Sequence, residues 1–334
     1  MRLSIIASLL ASSLLAGCAT LPATVEHDPS LPHVELDGYK FHVRTYGNPE
    51  NPPVIVVHGG PGGDLNYLLP LQILADDYFV VFYDQRGTGL SPRTAKENLT
   101  FEASLKDLHL LVAHYAGDRP VRLIGHSWGA MLAIAYLGEH PDRVSHAVAA
   151  EPGILTPATA EVFVSRLKAS QSLLDALPLA GSIVRSALVR TTDGHERFDY
   201  AMTRLMNRSK PGGPYQCEGQ AMPADAFVRA GYDSFKHMLK PVLDTPSSFR
   251  WNLTEKLGRY GGSLLMMSSE CSFIGHAYQQ EHHLPLLPAR TVHVLAKGMG
   301  HNMLTLNAQW SAKVVRDFFK DAAPAPRVDA KAEK

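Results

Sequence analysis

A mostly parallel β-sheet covered by helices on both faces, and interrupted by a helical insertion, is the fold class this sequence predicts. Two observations lead there. Short β-branched and aromatic runs alternate with helical patterns up to about Gly153 and again from Gly262, which is the rhythm of strands joined by crossover helices. Between them, 154–259 leans helical, is rich in Pro and Gly ("SKPGGPYQCEGQAMPAD") and carries no strand of comparable strength. A chain of 334 residues with 45% hydrophobic content can bury one large core with such an insertion.

The elements follow in order. "HVELDGYKFHVRTYG" reads as a hairpin turning at Asp37-Gly38, and "PPVIVVHGG" and "YFVVFYDQRG" as strands that end in glycine-rich loops. A helical stretch, "LNYLLPLQILADD", lies between those two strands. "TFEASLKDLHLLVAHYAGD" sets Phe101, Leu105, Leu108, Val112 and Tyr115 on one helical face, with Thr100 as N-cap. Then come the strand "VRLIG", the helix "AMLAIAYLGEHP" and the strand "SHAVAAEPG". After the insertion, the strands "GGSLLMMSSE" and "RTVHVLAKG" lead to a closing helix, "NAQWSAKVVRDFFKDA". The core is therefore expected over 33–153 and 260–321, the cap over 154–259, and a disordered tail over 322–334.

Lys plus Arg number 32 and so do Asp plus Glu, so no electrostatic attraction to nucleic acid or an anionic membrane is indicated. The N-terminus reads as an address: Arg2, an apolar run too short to span a bilayer, then "LAGC" closing at Cys18. This resembles a bacterial lipoprotein signal. It implies removal of residues 1–17, lipidation of Cys18 and, with Ala19 following, an outer-membrane anchor facing the periplasm. A polar, proline-containing tether is expected over 18–32.

The chemistry centres on "IGHSWGA". Gly125-His126-Ser127-Trp128-Gly129 fits G-x-S-x-G at a strand-to-helix turn, which holds a serine in a strained conformation with its hydroxyl above the carboxyl edge of the sheet. Serine needs a base to take its proton and donors for an oxyanion. The "HGGPGG" loop offers the backbone N–H of Gly60, which can pair with that of Trp128, and "VHVLAKGMGHNM" offers His301 as base after the last strand. His58 and His126 are read as loop buttresses and His293 as packed in its strand. The pair His282 and His283 has no third ligand at useful spacing and reads as a solvated loop, so neither a metal nor another cofactor is expected.

"HGGPGG", "DQRGTGLS" and "GHSWGAMLAIAYLGEHP", in this order, resemble an α/β-hydrolase of the proline iminopeptidase type. The resemblance covers most of Pro53–Gly153 and is weaker from Gly262 to Phe319. It implies that Asp84 and Arg86 lock the loop beside the nucleophile, in a structural role. It also implies a Gly-x-x-Asp after the strand "SLLMM", but Ser272 stands where that aspartate would fall. An uncharged residue cannot stabilise a protonated His301. Glu151, ending an apolar strand before Pro152-Gly153, is the preferred acid, and Glu270 the alternative. The Trp-x-x-Trp-Glu pattern associated with the family is missing; the cap holds an isolated Trp251.

Cys217 and Cys271 form a pair that an oxidising envelope could join, with two free thiols as the alternative. The function expected is a serine hydrolase forming an acyl-enzyme from a small ester or an N-terminal amide. A non-catalytic envelope binding protein is the alternative. Ser127 argues against the aspartate-nucleophile dehalogenases and epoxide hydrolases of this fold.

Overall fold

The computed structural model describes residues 20–170, 176–208 and 212–320. Eight strands form one sheet in the order β1-β2-β4-β3-β5-β6-β7-β8. They are β1 (His33–Leu36), β2 (Tyr39–Tyr46), β3 (Pro53–Val57), β4 (Phe79–Tyr83), β5 (Val121–His126), β6 (Val144–Ala150), β7 (Ser263–Ser269) and β8 (Val292–Ala296). From β4 to β8 neighbouring strands are parallel, whereas β1 and β2 add antiparallel at one edge. The hairpin turns where expected, with Asp37 at φ 49° and Gly38 at φ 72°, and pairs Leu36 with Tyr39.

Strands β3 to β6 are buried on both faces, which is why they read as apolar runs rather than alternating ones. On one face pack α1 (Phe101–Ala116) and α2 (Trp128–Glu139); on the other pack the 3-10 helix Asn66–Asp76 and the closing helix Ala308–Lys320. Thr100 caps α1, its hydroxyl accepting from Ala103 N at 3.1 Å. Within the insertion run α3 (Pro157–Ser170), α4 (Ala176–Ser186) and α5 (Glu196–Met206), followed by shorter helical turns.

Two expectations need correction. Part of the expected tether 18–32 is docked: Thr24 and Val25 are buried, Val25 N donates to Leu90 O at 2.9 Å, and Arg229 reaches Pro22 O at 3.0 Å. The buried Arg229, whose third guanidinium nitrogen finds its acceptor in Pro22 O, helps to hold that segment in. Within the expected cap 154–259, Phe249, Leu253 and Leu257 pack in the α1–α2 core layer, as do Phe163, Val164 and Val242. The His282–His283 stretch is a helical turn, and His283 is buried against Gln279. Residues 1–19, Cys18 among them, and the tail 322–334 lie outside the described residues.

A buried ion cluster holds the cap to the core. Arg229 bonds Asp193 at 2.7 Å and Asp199 at 3.1 Å, and Arg93, on the loop after β4, shares Asp199 at 2.8 Å. Each charge is paired, and removing one partner would strand the others in low dielectric.

Candidate active site

The strand ends position the site. Strand β5 stops at His126, Ser127 takes φ 55° and ψ −116°, and α2 starts at Trp128. The flanking glycines are required by close approach: a Cβ on Gly125 would lie 2.3 Å from Gly129 O, and one on Gly129 2.1 Å from Val57 O. The Trp128 N–H heads α2, where first-turn N–H groups have no intrahelical acceptor, and the "HGGPGG" loop passes alongside. A Cβ on Gly59 would meet Ser127 Cβ at 3.0 Å, and Gly60 at φ 130° takes a backbone shape few other residues tolerate.

His301 follows β8 and is buried, with its N–H donating to Tyr215 O at 2.6 Å. Its Nδ1 is hydrogen-bonded to Glu151 Oε2. The other carboxylate oxygen of Glu151 accepts from Ser269 N at 2.8 Å and Ser269 Oγ at 2.5 Å. Both oxygens accept, so Nδ1 carries the hydrogen and the lone pair on Nε2 is left for a proton. Glu270 is exposed and does not reach His301; its carboxylate accepts Gly298 N at 2.6 Å, bracing the turn after β8 from outside. Ser272, where an aspartate was expected, accepts Ile274 N at 3.2 Å.

Sequence reasoning missed a relay that ties His301 to the "HGGPGG" loop. Gly59 N donates to Tyr67 Oη at 2.7 Å, the Tyr67 hydroxyl donates to His126 Nδ1 at 2.7 Å, and His126 Nε2 donates to the carbonyl of His301 at 2.9 Å. The carbonyl can only accept, which fixes each donor in the chain. Burial, with His301 alongside, holds the His126 pKa well below its ordinary value, so the ring stays neutral. Nothing in "NYLLPLQ" marks Tyr67 for this; Gly59 lies in the loop just before it, but His126 ends β5, 59 residues on.

The loop after β4 is locked by Asp84, as the resemblance implies. Its oxygens accept from Leu65 N, Leu90 N and His42 Nδ1, each at 2.7 Å. Burial opposes ionisation, but the His42 hydrogen bond and the nearby imidazoles outweigh it and hold the carboxyl below its usual range. Arg86 forms a two-pronged pair with Asp107 of α1 at 2.8 and 2.6 Å and stacks on Tyr39. Gln85, also missed, joins the loops: its amide donates to His58 O at 2.8 Å and accepts from Trp128 Nε1 at 3.1 Å. His58 acts as a buttress, accepting Gln85 N at 3.0 Å and donating to Gly59 O at 2.8 Å.

Cys217 and Cys271 are joined, with Cα atoms 5.0 Å apart. The bond staples the segment bearing Tyr215 to the loop after β7, beside His301. Among the described residues, no group of three His, Cys, Asp or Glu side chains could hold a metal ion.

Ser127, His301, Gly60 and Tyr215 open on one cavity of about 690 Å³ between the core and the cap. The cap side is apolar, with Phe163, Met202, Leu205, Phe227, Phe235 and Leu239 among its walls. Burial and the Glu151 carboxylate push Tyr215 up to about 12.

Residues 52–201 match the family model described as the alpha/beta hydrolase fold. A proline iminopeptidase of Lactobacillus acidophilus is 42% identical over 113 residues, which are 32% of this chain and 38% of that protein's own length. The solved proline iminopeptidase of Mycobacterium smegmatis superposes with a TM-score of 0.58 at 17% identity, covering 86% of this chain and 97% of that one. A thermophilic esterase from Thermogutta terrifontis gives 0.60 at 17% identity, covering 86% of this chain and 98% of the esterase. With its eight-stranded, mostly parallel sheet and the nucleophile-type turn after β5, the chain has the α/β-hydrolase fold.

Proposed function

We propose that the protein is a serine hydrolase that works through an acyl-enzyme on an ester or an N-terminal amide bond, and that it is anchored in the cell envelope through Cys18. The observation that carries the hydrolase reading is the buried Glu151–His301 pair, whose histidine lines one cavity with a serine on a strained turn. The partly matching proline iminopeptidases support it.

In this reading Ser127 Oγ attacks the substrate carbonyl carbon while His301 Nε2 takes its proton. The oxyanion that forms lies against the N–H groups of Gly60 and Trp128. Glu151 stabilises the imidazolium, which then protonates the departing alcohol or amine as the carbonyl re-forms. Water, activated by the same His301, attacks the acyl-enzyme and releases the acid and the free serine.

A fluorophosphonate should label the wild type, and Ser127→Ala should lose label and turnover with little change in thermal transition. Undiminished labelling of that variant would reject the assignment. For the anchor, metabolic labelling with a palmitate analogue in a bacterial host should tag the wild type but not Cys18→Ser, and an untagged wild type would refute it. Three residues lie between Cys18 and the docked Pro22, so the lipidated residue would lie within about 14 Å of the protein body, four steps along the chain.

A further inference from the structure

We propose that the cavity above Ser127 takes an uncharged ester bearing a long apolar chain, and that substrates with a free ammonium group beside the reacting carbonyl are excluded. This rests on the serine-hydrolase reading and specifies its substrate.

The argument starts from charge. Among the described residues lining the cavity there is no Asp, Glu, Lys or Arg. An N-terminal ammonium next to the scissile carbonyl would sit within a few bonds of Ser127 and would need a carboxylate there, because an unpaired buried ammonium is strongly disfavoured. The buried carboxylates nearby are committed. Glu151 is held by Ser269 and His301, and Asp64 accepts the backbone N–H groups of Asn66, Val228 and Arg229. Neither lines the cavity, and a substrate carboxylate would find no Lys or Arg in the walls.

Size and lining then favour a chain. A volume of about 690 Å³ far exceeds what an acetyl or a single amino-acyl group fills. Near solvent the cavity is edged by Ile183, Phe198 and Leu205, which are 56%, 62% and 41% exposed. Apolar surface therefore runs from the serine to the rim, so a chain can shed water along its whole length. The buried wall also holds Gln216, 3% exposed, with neither amide atom partnered among the described residues. A neutral amide suits an ester oxygen or a hydroxyl and cannot neutralise an ammonium.

The test uses the full folded domain and 4-nitrophenyl esters from acetate to dodecanoate, a matching series of acetates of straight-chain alcohols, and prolyl-4-nitroanilide, all below micelle formation. One of the ester series should show kcat/KM rising about fourfold per methylene until the chain reaches the rim. The anilide should lie at least a thousandfold below the best ester. Phe198→Asp and Leu205→Asp, both at exposed rim positions that tolerate charge, should each lower the ratio of best ester to acetate at least tenfold. Flat chain-length profiles in both series, an anilide rate comparable to the best ester, or a ratio unmoved by both rim variants would overturn the proposal. Fluorophosphonate labelling separates the two levels: labelled Ser127 with a flat profile removes the substrate assignment alone, whereas unlabelled Ser127 removes the hydrolase reading beneath it.

Discussion

Replacing Glu151 by glutamine keeps the shape of the side chain and removes its symmetry. In the wild type both carboxylate oxygens accept: Oε1 from the Ser269 N–H and O–H, Oε2 from the Nδ1–H of His301. Glutamine has one acceptor and one donor end. The Ser269 backbone N–H is fixed, so the amide oxygen turns to it and the NH₂ group faces Nδ1. His301 must then accept at Nδ1 and carry its hydrogen on Nε2, the tautomer that cannot take a proton from Ser127. In serine proteases the corresponding exchange costs about four powers of ten in kcat, or ~5.4 kcal/mol of transition-state stabilisation. Glu151→Gln should therefore fall to near the level of His301→Ala in kcat/KM and in the rate of fluorophosphonate labelling. Glu270→Gln should keep at least about a tenth of wild-type activity, since an amide oxygen can still accept from Gly298 N. Thermal melts of both variants separate loss of chemistry from loss of fold. A folded Glu151→Gln protein with near-normal turnover beside an inactive Glu270→Gln would refute the reasoning; activity in both would replace the triad with a Ser-His dyad.

Three further outcomes are expected. Cys217→Ser should lower the thermal midpoint by several degrees, because the bond closes a span of 54 residues worth about 4 kcal/mol in the chain-entropy treatment, and should slow turnover by loosening the Tyr215 carbonyl that holds His301; an unchanged midpoint, or equal melts with and without reductant in the wild type, would contradict this. Tyr67→Phe leaves the Gly59 N–H and His126 Nδ1 without partners, at a cost of about 1–3 kcal/mol in stability read by denaturant melts, and should lower kcat more than it raises KM. Stability should also fall with acid: burial depresses the pKa of His58, His126 and His283, the last to about 3, from an ordinary 6.5. Unfolding lets each take up a proton below pH 6.5, so melting temperatures should drop as pH falls from there towards 3, and a flat profile would argue that these rings are charged in the fold.

The features legible in the sequence were those whose causes are local. Asp37-Gly38 announces its turn because both residues need positive φ, and Gly125 and Gly129 announce the elbow because neighbouring backbone leaves no room for a side chain. Glu151 drew notice as a carboxylate ending an apolar strand, and it is the carboxylate that hydrogen-bonds His301. What escaped depends on partners far apart in sequence. Val25 looks like an isolated apolar residue in a polar segment until Leu90 O takes its N–H and Arg229 holds Pro22 nearby. Tyr67 does not announce the polar role of its tip, since His126 meets it only after β3 and β5 pair. Phe249, Leu253 and Leu257 stand four residues apart, a helix-like spacing, yet they pack from turns and short 3-10 segments, so periodicity does not reveal the layer they join.

The placement of Glu151 follows from how adjacent strands end. Ser127 and Glu151 are both non-glycine residues at positive φ, 55° and 49°, and each comes directly after its strand. In the register of β5 and β6, His126 lies opposite Ala150, so the two strained residues are neighbours one strand apart. Each passes its backbone N–H to the next strand over, Ser127 to Ala150 O and Glu151 to Met267 O, both at 2.9 Å. Conformations costing about 1–3 kcal/mol apiece are held by these bonds, by burial and by Ser269. The turn that lifts Ser127 above the sheet edge is thus repeated at the neighbouring strand, where it aims a carboxylate across β7 towards the loop after β8. An aspartate there would stop one methylene short of His301 while Ser269 still claimed it. The longer side chain is what allows a carboxylate placed at the end of β6 to reach a histidine that follows β8.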